Sequence, residues 1–147
     1  MREHLPLSED IPVTVHPASD WFPQVACRPD GRVYIVWDSY RNGNYDVYLR
    51  EFMAGRLGPE VRVSKSAEEE MCPSVAVDGA GKVWLFVRRQ YIKPTVQRGM
   101  KHAFKVWALY FDGEGWSGPI FVPAMGGRWG AEGHALTDER RRVWVCR

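Results

Sequence analysis

Residues 23–37 read PQVACRPDGRVYIVW, and the same pattern returns at residues 73–87 as PSVAVDGAGKVWLFV. A weaker copy, GHALTDERRRVWVCR, occupies residues 133–147. Each copy places a basic residue, a valine and an aromatic residue in succession towards its end. These valines are Val33, Val83 and Val143. Their spacing, about 50 to 60 residues, is typical of a repeated unit of four strands.

Turn chemistry divides the first unit into short strands. Asp30 and Gly31 predict a hairpin turn, because this pair adopts left-handed backbone conformations easily. The sequence RNGN at residues 41–44 predicts the next turn for the same reason. Alternation of apolar and polar residues marks the strands between the turns. The predicted strands A, B, C and D lie at residues 23–28, 32–39, 45–52 and 60–64.

The remaining units repeat this order less completely. A strand D is predicted at residues 12–16, ahead of the first unit, and a second set A to D follows. The second set lies near residues 75–77, 83–87, 105–111 and 120–123. The third unit contributes an A–B pair. Residues 1–10 are predicted to be a lead-in, and residues 11–147 form units at about 11–59, 60–119 and 120–147.

The composition favours an all-β chain. Valine occurs 17 times and leucine 7 times, with 14 glycines and 10 prolines for turns. A formal charge of +2 gives no reason to expect a nucleic acid or an anionic membrane as partner. No signal peptide is visible, so the compartment stays unknown. The cysteines lack metal-type spacing, no cofactor is expected, and Cys27 is predicted to be buried because it aligns with Val77.

Three motifs carry a resemblance to a known class of repeat. They are the GRVY and GKVW hairpins, RNGNYDVY at residues 41–48 and GWSGP at residues 115–119. Units of this form resemble blades of bacterial β-propellers, of the sialidase-like and TolB-type families. The resemblance implies antiparallel four-stranded blades, in an incomplete ring or in a ring that chains close by self-association. An eleven-strand sandwich is the alternative fold.

The resemblance also indicates where to look for ligands, because propellers bind them where the D–A and B–C loops meet. The second B–C connection is the longer one, and its residues 88–105 hold six Lys or Arg and no acid. A basic loop of this kind is suited to a phosphate, a carboxylate or an acidic partner, although a solvated insertion is the alternative. The candidates are Arg88, Arg89, Tyr91, Lys93, Lys101 and His102. We expect serine at positions 88, 89 and 93 to leave folding intact.

The D–A connections supply the other candidates. Asp20 and Glu70 stand at the same offset before Pro23 and Pro73. Their carboxylates would bind a cation or do acid–base work at a channel mouth, or else cap their own turns or form ion pairs between blades. His134 lies at a strand A position. The full set of candidates here is Asp20, Trp21, Glu70, Trp129, Glu132 and His134.

Together these features predict a non-catalytic propeller scaffold that binds a carbohydrate or an anionic ligand. No catalytic residue is assigned, and no activity is expected of this chain alone. The alternative is a fragment of a propeller enzyme, either a sialidase-like glycoside hydrolase or the propeller domain of a peptidase.

Overall fold

Antiparallel strands make up the regular structure of residues 10–95, 99–127 and 134–146, which the computed structural model of the 147-residue chain describes. No helix in these ranges is long and apolar enough to cross a membrane. The strands are β1 (Asp20–Cys27), β2 (Val33–Ser39), β3 (Asp46–Met53), β4 (Arg56–Leu57), β5 (Val61–Arg62), β6 (Glu70–Val77), β7 (Val83–Thr95), β8 (Gly99–Phe111), β9 (Ile120–Gly127), β10 (His134–Thr137) and β11 (Val143–Cys146).

The strands of these ranges form three sheets, each ordered as the chain runs. Sheet 1 is β1-β2-β3, with the short β4 and β5 both paired to β3. Sheet 2 is β6-β7-β8-β9, and sheet 3 is the hairpin β10-β11. The predicted all-β, antiparallel class is confirmed. The predicted A–B hairpins are present in all three units, and the A–B turns of the first two contain Gly31 and Gly81 at φ +86° and +83°.

Apolar side chains hold the sheets face to face. We call the side of each sheet towards the preceding unit its near face, and the opposite side its far face. The far face of sheet 1, with Tyr34 and Val36, packs against the near face of sheet 2, with Val75 and Leu85. The far face of sheet 2 meets the near face of sheet 3, and the residues of this contact are Trp84, Phe86, Val106, Ala108, Ala135, Val143 and Val145. Strand β6 therefore lies between β1 and β10.

The prediction is wrong at residues 12–16 and at Cys27. Residues 12–16 are not a strand; they lie beside sheet 1, where the Val13 carbonyl accepts a hydrogen bond from Arg50 Nη1 at 2.9 Å. Cys27 is exposed rather than buried. It lies at the end of β1 on the near face of sheet 1, and no described sheet covers that face. Its counterpart Val77 is buried only because sheet 1 lies against it.

An aspartate fastens the A–B turn of units two and three, a feature that the sequence analysis missed. Asp78 Oδ1 accepts the backbone N–H of Ala80 and Lys82, each at 2.9 Å, and Oδ2 accepts the indole N–H of Trp84 at 2.8 Å. Asp138 binds the Trp144 indole N–H in the same way, at 2.9 Å. Because indole nitrogen only donates, an acidic residue six positions earlier is a suitable partner.

Removing the turn aspartate of unit two should measurably weaken the fold. Asp78→Ala is expected to lower the free energy of unfolding by about 2 kcal/mol, because a charged acceptor of several hydrogen bonds is lost. Urea unfolding followed by tryptophan fluorescence measures this. Asp112→Ala is the matched control, since Asp112 caps a turn through backbone N–H groups and binds no indole in the described structure. An equal loss in both variants would contradict a role for the indole bond.

Candidate functional site

The basic segment of unit two forms an arm that extends sheet 2. The strands β7 and β8 stay paired from Val83 opposite Phe111 out to Thr95 opposite Gly99. Six of these pairs lie beyond Arg89 and Lys105, the position at which the β2–β3 hairpin of unit one ends. At about 3.3 Å per residue, the arm projects roughly 20 Å further. The predicted loop over residues 88–105 is therefore wrong, because the β7–β8 ladder continues out to Thr95 opposite Gly99.

The base of the arm contains a buried ion pair. Glu70, the first residue of β6, lies opposite Arg89, and its Oε1 accepts from Arg89 Nε and Nη2 at 3.0 and 2.6 Å. Glu70 Oε2 accepts the backbone N–H of Ser66 at 3.3 Å. Burial alone would lower the pKa of Arg89, but the hydrogen bond and charge of Glu70 outweigh it, so the pKa is raised. Two predicted ligand residues thus bind each other.

Asp20 at the start of β1 has the same kind of partner. Its Oδ1 lies 3.1 Å from Arg41 Nη2, and Arg41 also contacts Glu60. Burial would raise the pKa of Asp20, but hydrogen bonds with Ser39, Thr14 and Arg41 hold it below its ordinary value. Asp20 and Glu70 thus both form ion pairs, as one alternative predicted. Each pair lies within a single unit, however, and not between two blades. The two carboxylates are held by arginines rather than directed at an open channel mouth.

Cations and aromatic rings alternate on the arm next to this pair. Arg89 lies with its guanidinium carbon 4.8 Å from the centre of the Trp107 ring. The Trp107 indole N–H donates to the Tyr91 hydroxyl at 3.0 Å. The Lys105 ammonium lies 5.1 Å from the Tyr91 ring and 5.4 Å from the Phe121 ring. Among the described residues no carboxylate forms an ion pair with Lys105.

Asp38 is a buried carboxyl group that the sequence analysis did not single out. It is 1% exposed, and its Oδ2 accepts the backbone N–H of Cys72 at 2.7 Å, across the contact between sheets 1 and 2. Cys72 has φ +51° at an irregularity in β6, which directs this N–H towards sheet 1. Burial raises the pKa of Asp38 to about 6, against the opposing effects of this hydrogen bond and of Arg88.

The other predicted residues that the structure describes are distributed over the same end of the sheets. Trp21 pairs with Asp38 across β1 and β2 and is 54% exposed, so its ring is open to a ligand. Arg88 lies over the Phe104 ring at 4.7 Å. His134 begins β10 and is exposed. In the arm, the backbone pairs Lys93 with Lys101 and His102 with Ile92. Trp129 and Glu132 lie outside the described residues.

An apolar cleft of about 240 Å³ lies at the opposite end, and none of the predicted ligand residues that the structure describes lines it. Its lining consists of Tyr34, Leu49, Glu51, Pro59, Val61, Phe111 and Trp116. Across the described ranges, no three His, Cys, Asp or Glu side chains are grouped so that they could hold a metal ion.

No profile of a known protein family matches the chain, and the search of curated proteins found no match. Functional inference therefore depends on the residues and contacts described above.

Proposed function

We propose that this chain is a non-catalytic binding module built from β-propeller-type sheets, and that its β7–β8 arm binds an anionic ligand. The propeller arrangement is supported by the repeated antiparallel strand order and by the face-to-face packing of successive sheets. The first strand of sheet 2 lies between the first strands of its neighbours, as inner strands do around a propeller channel.

The observation that carries the ligand proposal is the unbalanced charge of the arm. Arg89 lies opposite Lys105 in the ladder, and Lys93 lies opposite Lys101. Like charges placed directly across a ladder destabilise it. Glu70 offsets Arg89, but residues 88–105 contain no acid of their own. A bound anion would relieve this repulsion, and projection from a rigid sheet makes the arm accessible.

Tyr91 and Trp107 suit the same ligand. Their rings hold the cations in place, since an ammonium or guanidinium group over a ring is attracted to its negative face. The hydrogen bond from Trp107 to Tyr91 fixes the two rings relative to each other. The base of the arm is therefore a preordered surface, and less side-chain entropy is lost when a carboxylate binds there.

Binding of carboxylate-rich probes tests the proposal. An oligoglutamate peptide and an oligogalacturonate should bind, with affinity that falls as salt rises, whereas a neutral oligogalactoside should not. The variant Lys93→Ser/Lys101→Ser should weaken binding by about tenfold or more, on the scale of one charge-assisted hydrogen bond. Isothermal titration calorimetry measures the change, and the two acidic probes separate peptide from sugar.

The matched control removes two exposed cations elsewhere, in the variant Arg56→Ser/Lys65→Ser. Its net charge equals that of the arm variant, so a loss in both would indicate unspecific attraction and contradict the arm site. Unchanged binding by the arm variant, or equal binding of the neutral sugar, would also contradict the proposal.

A further inference from the structure

Parts of the outer faces of sheets 1 and 3 are apolar and exposed in the described structure. On sheet 1 the exposed part lies towards the A–B turn, because Trp37 and Tyr48 at the other end of the near face are buried. On the near face of sheet 1, Val25 is 62% exposed, with Val33 and Ile35 half-buried beside it. On the far face of sheet 3, Leu136 is 49% exposed and Trp144 is 52% exposed. Single exposed apolar residues are common in proteins, but these residues form one group at each end of the stack of sheets.

The internal repeat shows what kind of surface covers such faces. Val25 corresponds to Val75, which is 5% exposed because sheet 1 lies over it. Trp144 corresponds to Trp84, which packs beneath sheet 3. Each end face is thus the counterpart of a surface that the chain buries against its own next sheet.

The two end faces also match each other. Inside the chain, the far face of sheet 2 is covered by the near face of sheet 3, whose apolar residues are Ala135, Val143 and Val145. The same repeat positions on the near face of sheet 1 are Val25, Val33 and Ile35. The near face of sheet 1 therefore offers the far face of sheet 3 a surface of the kind that already covers sheet 2.

We infer that a second copy of this chain stacks the far face of its sheet 3 on the near face of sheet 1, head to tail. The contact continues the two interfaces that exist within each chain, with the same residue types and the same strand directions. Such a contact is heterologous, so it either closes into a ring or grows into a filament. Two copies supply six sheets, which lies within the four to eight that typically close a propeller. The expected assembly is a closed dimer.

Two single-face variants test this contact. Val25→Arg alters only sheet 1, and Leu136→Arg alters only sheet 3. Multi-angle light scattering should give the mass of a dimer for the unaltered chain and of a monomer for each variant. An equimolar mixture of the variants should regain dimer, because the sheet 3 of one then meets an unaltered sheet 1 of the other. A contact between identical faces would not show this recovery.

The control Ile120→Arg places the same charge on an exposed apolar residue of β9, outside the contact, and should stay dimeric. Because Val25 and Leu136 are exposed in the single chain, thermal unfolding of the two variants should show a fold as cooperative as that of the control. A monomeric unaltered chain would overturn the inference. Dimers that survive both single substitutions, or a mixture that stays monomeric, would overturn it as well.

Discussion

Arg89→Met is expected to lower the free energy of unfolding by about 3–5 kcal/mol, because it leaves the buried carboxylate of Glu70 without its cation. Glu70 is 1% exposed, and Arg89 is bound to it through two guanidinium nitrogens. Ser66 would remain as a hydrogen-bond donor, but one backbone N–H does not neutralise a buried charge. Urea unfolding at neutral pH gives the free energy, provided that the slope with denaturant stays unchanged.

Two further variants separate the ion pair from the loss of an arginine as such. Arg32→Met breaks the partly exposed pair of Arg32 with Glu51, which lies at 3.2 Å, and should cost no more than about 1 kcal/mol. The double variant Glu70→Leu/Arg89→Met should regain most of the lost stability, because no buried charge is left unpaired. A double variant as unstable as Arg89→Met would contradict this account and point to lost packing of Arg89 on Trp107.

Because of this ion pair, a substitution of Arg89 would affect folding as well as ligand binding. The sequence predicts that serine at positions 88, 89 and 93 leaves folding intact, whereas the contacts of Arg89 lead us to expect a substantial loss. Lys93 and Lys101 lie beyond the ion pair, past the last residue of β6 that pairs with β7. Ligand binding by the arm is therefore tested at these two lysines and not at Arg89.

The repeat predicts the strands well because it encodes local chemistry. Gly31 and Gly81 take the positive φ that the hairpin turns require, and alternation defines β2, β3 and β6 between them. Residues 12–16 alternate equally well, but a strand also needs backbone pairing along an edge, and Val13 and Thr14 contact arginine side chains of unit one instead. The sequence pattern indicates which face of a strand a residue occupies, whereas strand pairing depends on residues that are distant in the chain.

The prediction that Cys27 is buried failed for a related reason. The repeat correctly places Cys27 at the position of Val77, but a position is buried only if another sheet covers it. The arm was missed for a different reason, because six cations without an acid were interpreted as a loop. The stacking of Arg88 on Phe104 and of Lys105 on Tyr91 depends on the register of β7 and β8, which composition does not reveal.

Among the candidate residues, the sequence singled out Glu70 and Arg89 but not their ion pair, which depends on the cross-strand register of β6 and β7. It singled out Asp20 but not Arg41, the partner of Asp20. Asp38 was missed because it follows Trp37 at the end of β2, where an acid is ordinary. A usable signal was its position two residues after Val36, on the far face that packs against sheet 2.

The second large expected effect is a pH dependence of the free energy of unfolding, caused by Asp38. Its pKa is about 6 in the folded chain, above its ordinary value of 3.8, so the folded state binds this proton more tightly than the unfolded state. The contribution of Asp38 is fully present below the ordinary value and is lost as the pH rises through about 6. At 1.36 kcal/mol per pKa unit, the loss amounts to about 3 kcal/mol.

Asp38→Asn isolates this contribution, because asparagine stays neutral and its side-chain oxygen still accepts the N–H of Cys72. The free energy of unfolding of this variant, minus that of the unaltered chain, should rise by about 3 kcal/mol between pH 4 and pH 7 and then level off. Taking the difference cancels the pH-dependent contributions that both proteins share. Asp112→Asn should give a difference of opposite sign, since backbone N–H groups hold the pKa of Asp112 below its ordinary value. A flat difference for Asp38→Asn would mean that the carboxyl group is as well solvated in the folded chain as in the unfolded one, and that sheets 1 and 2 do not enclose it.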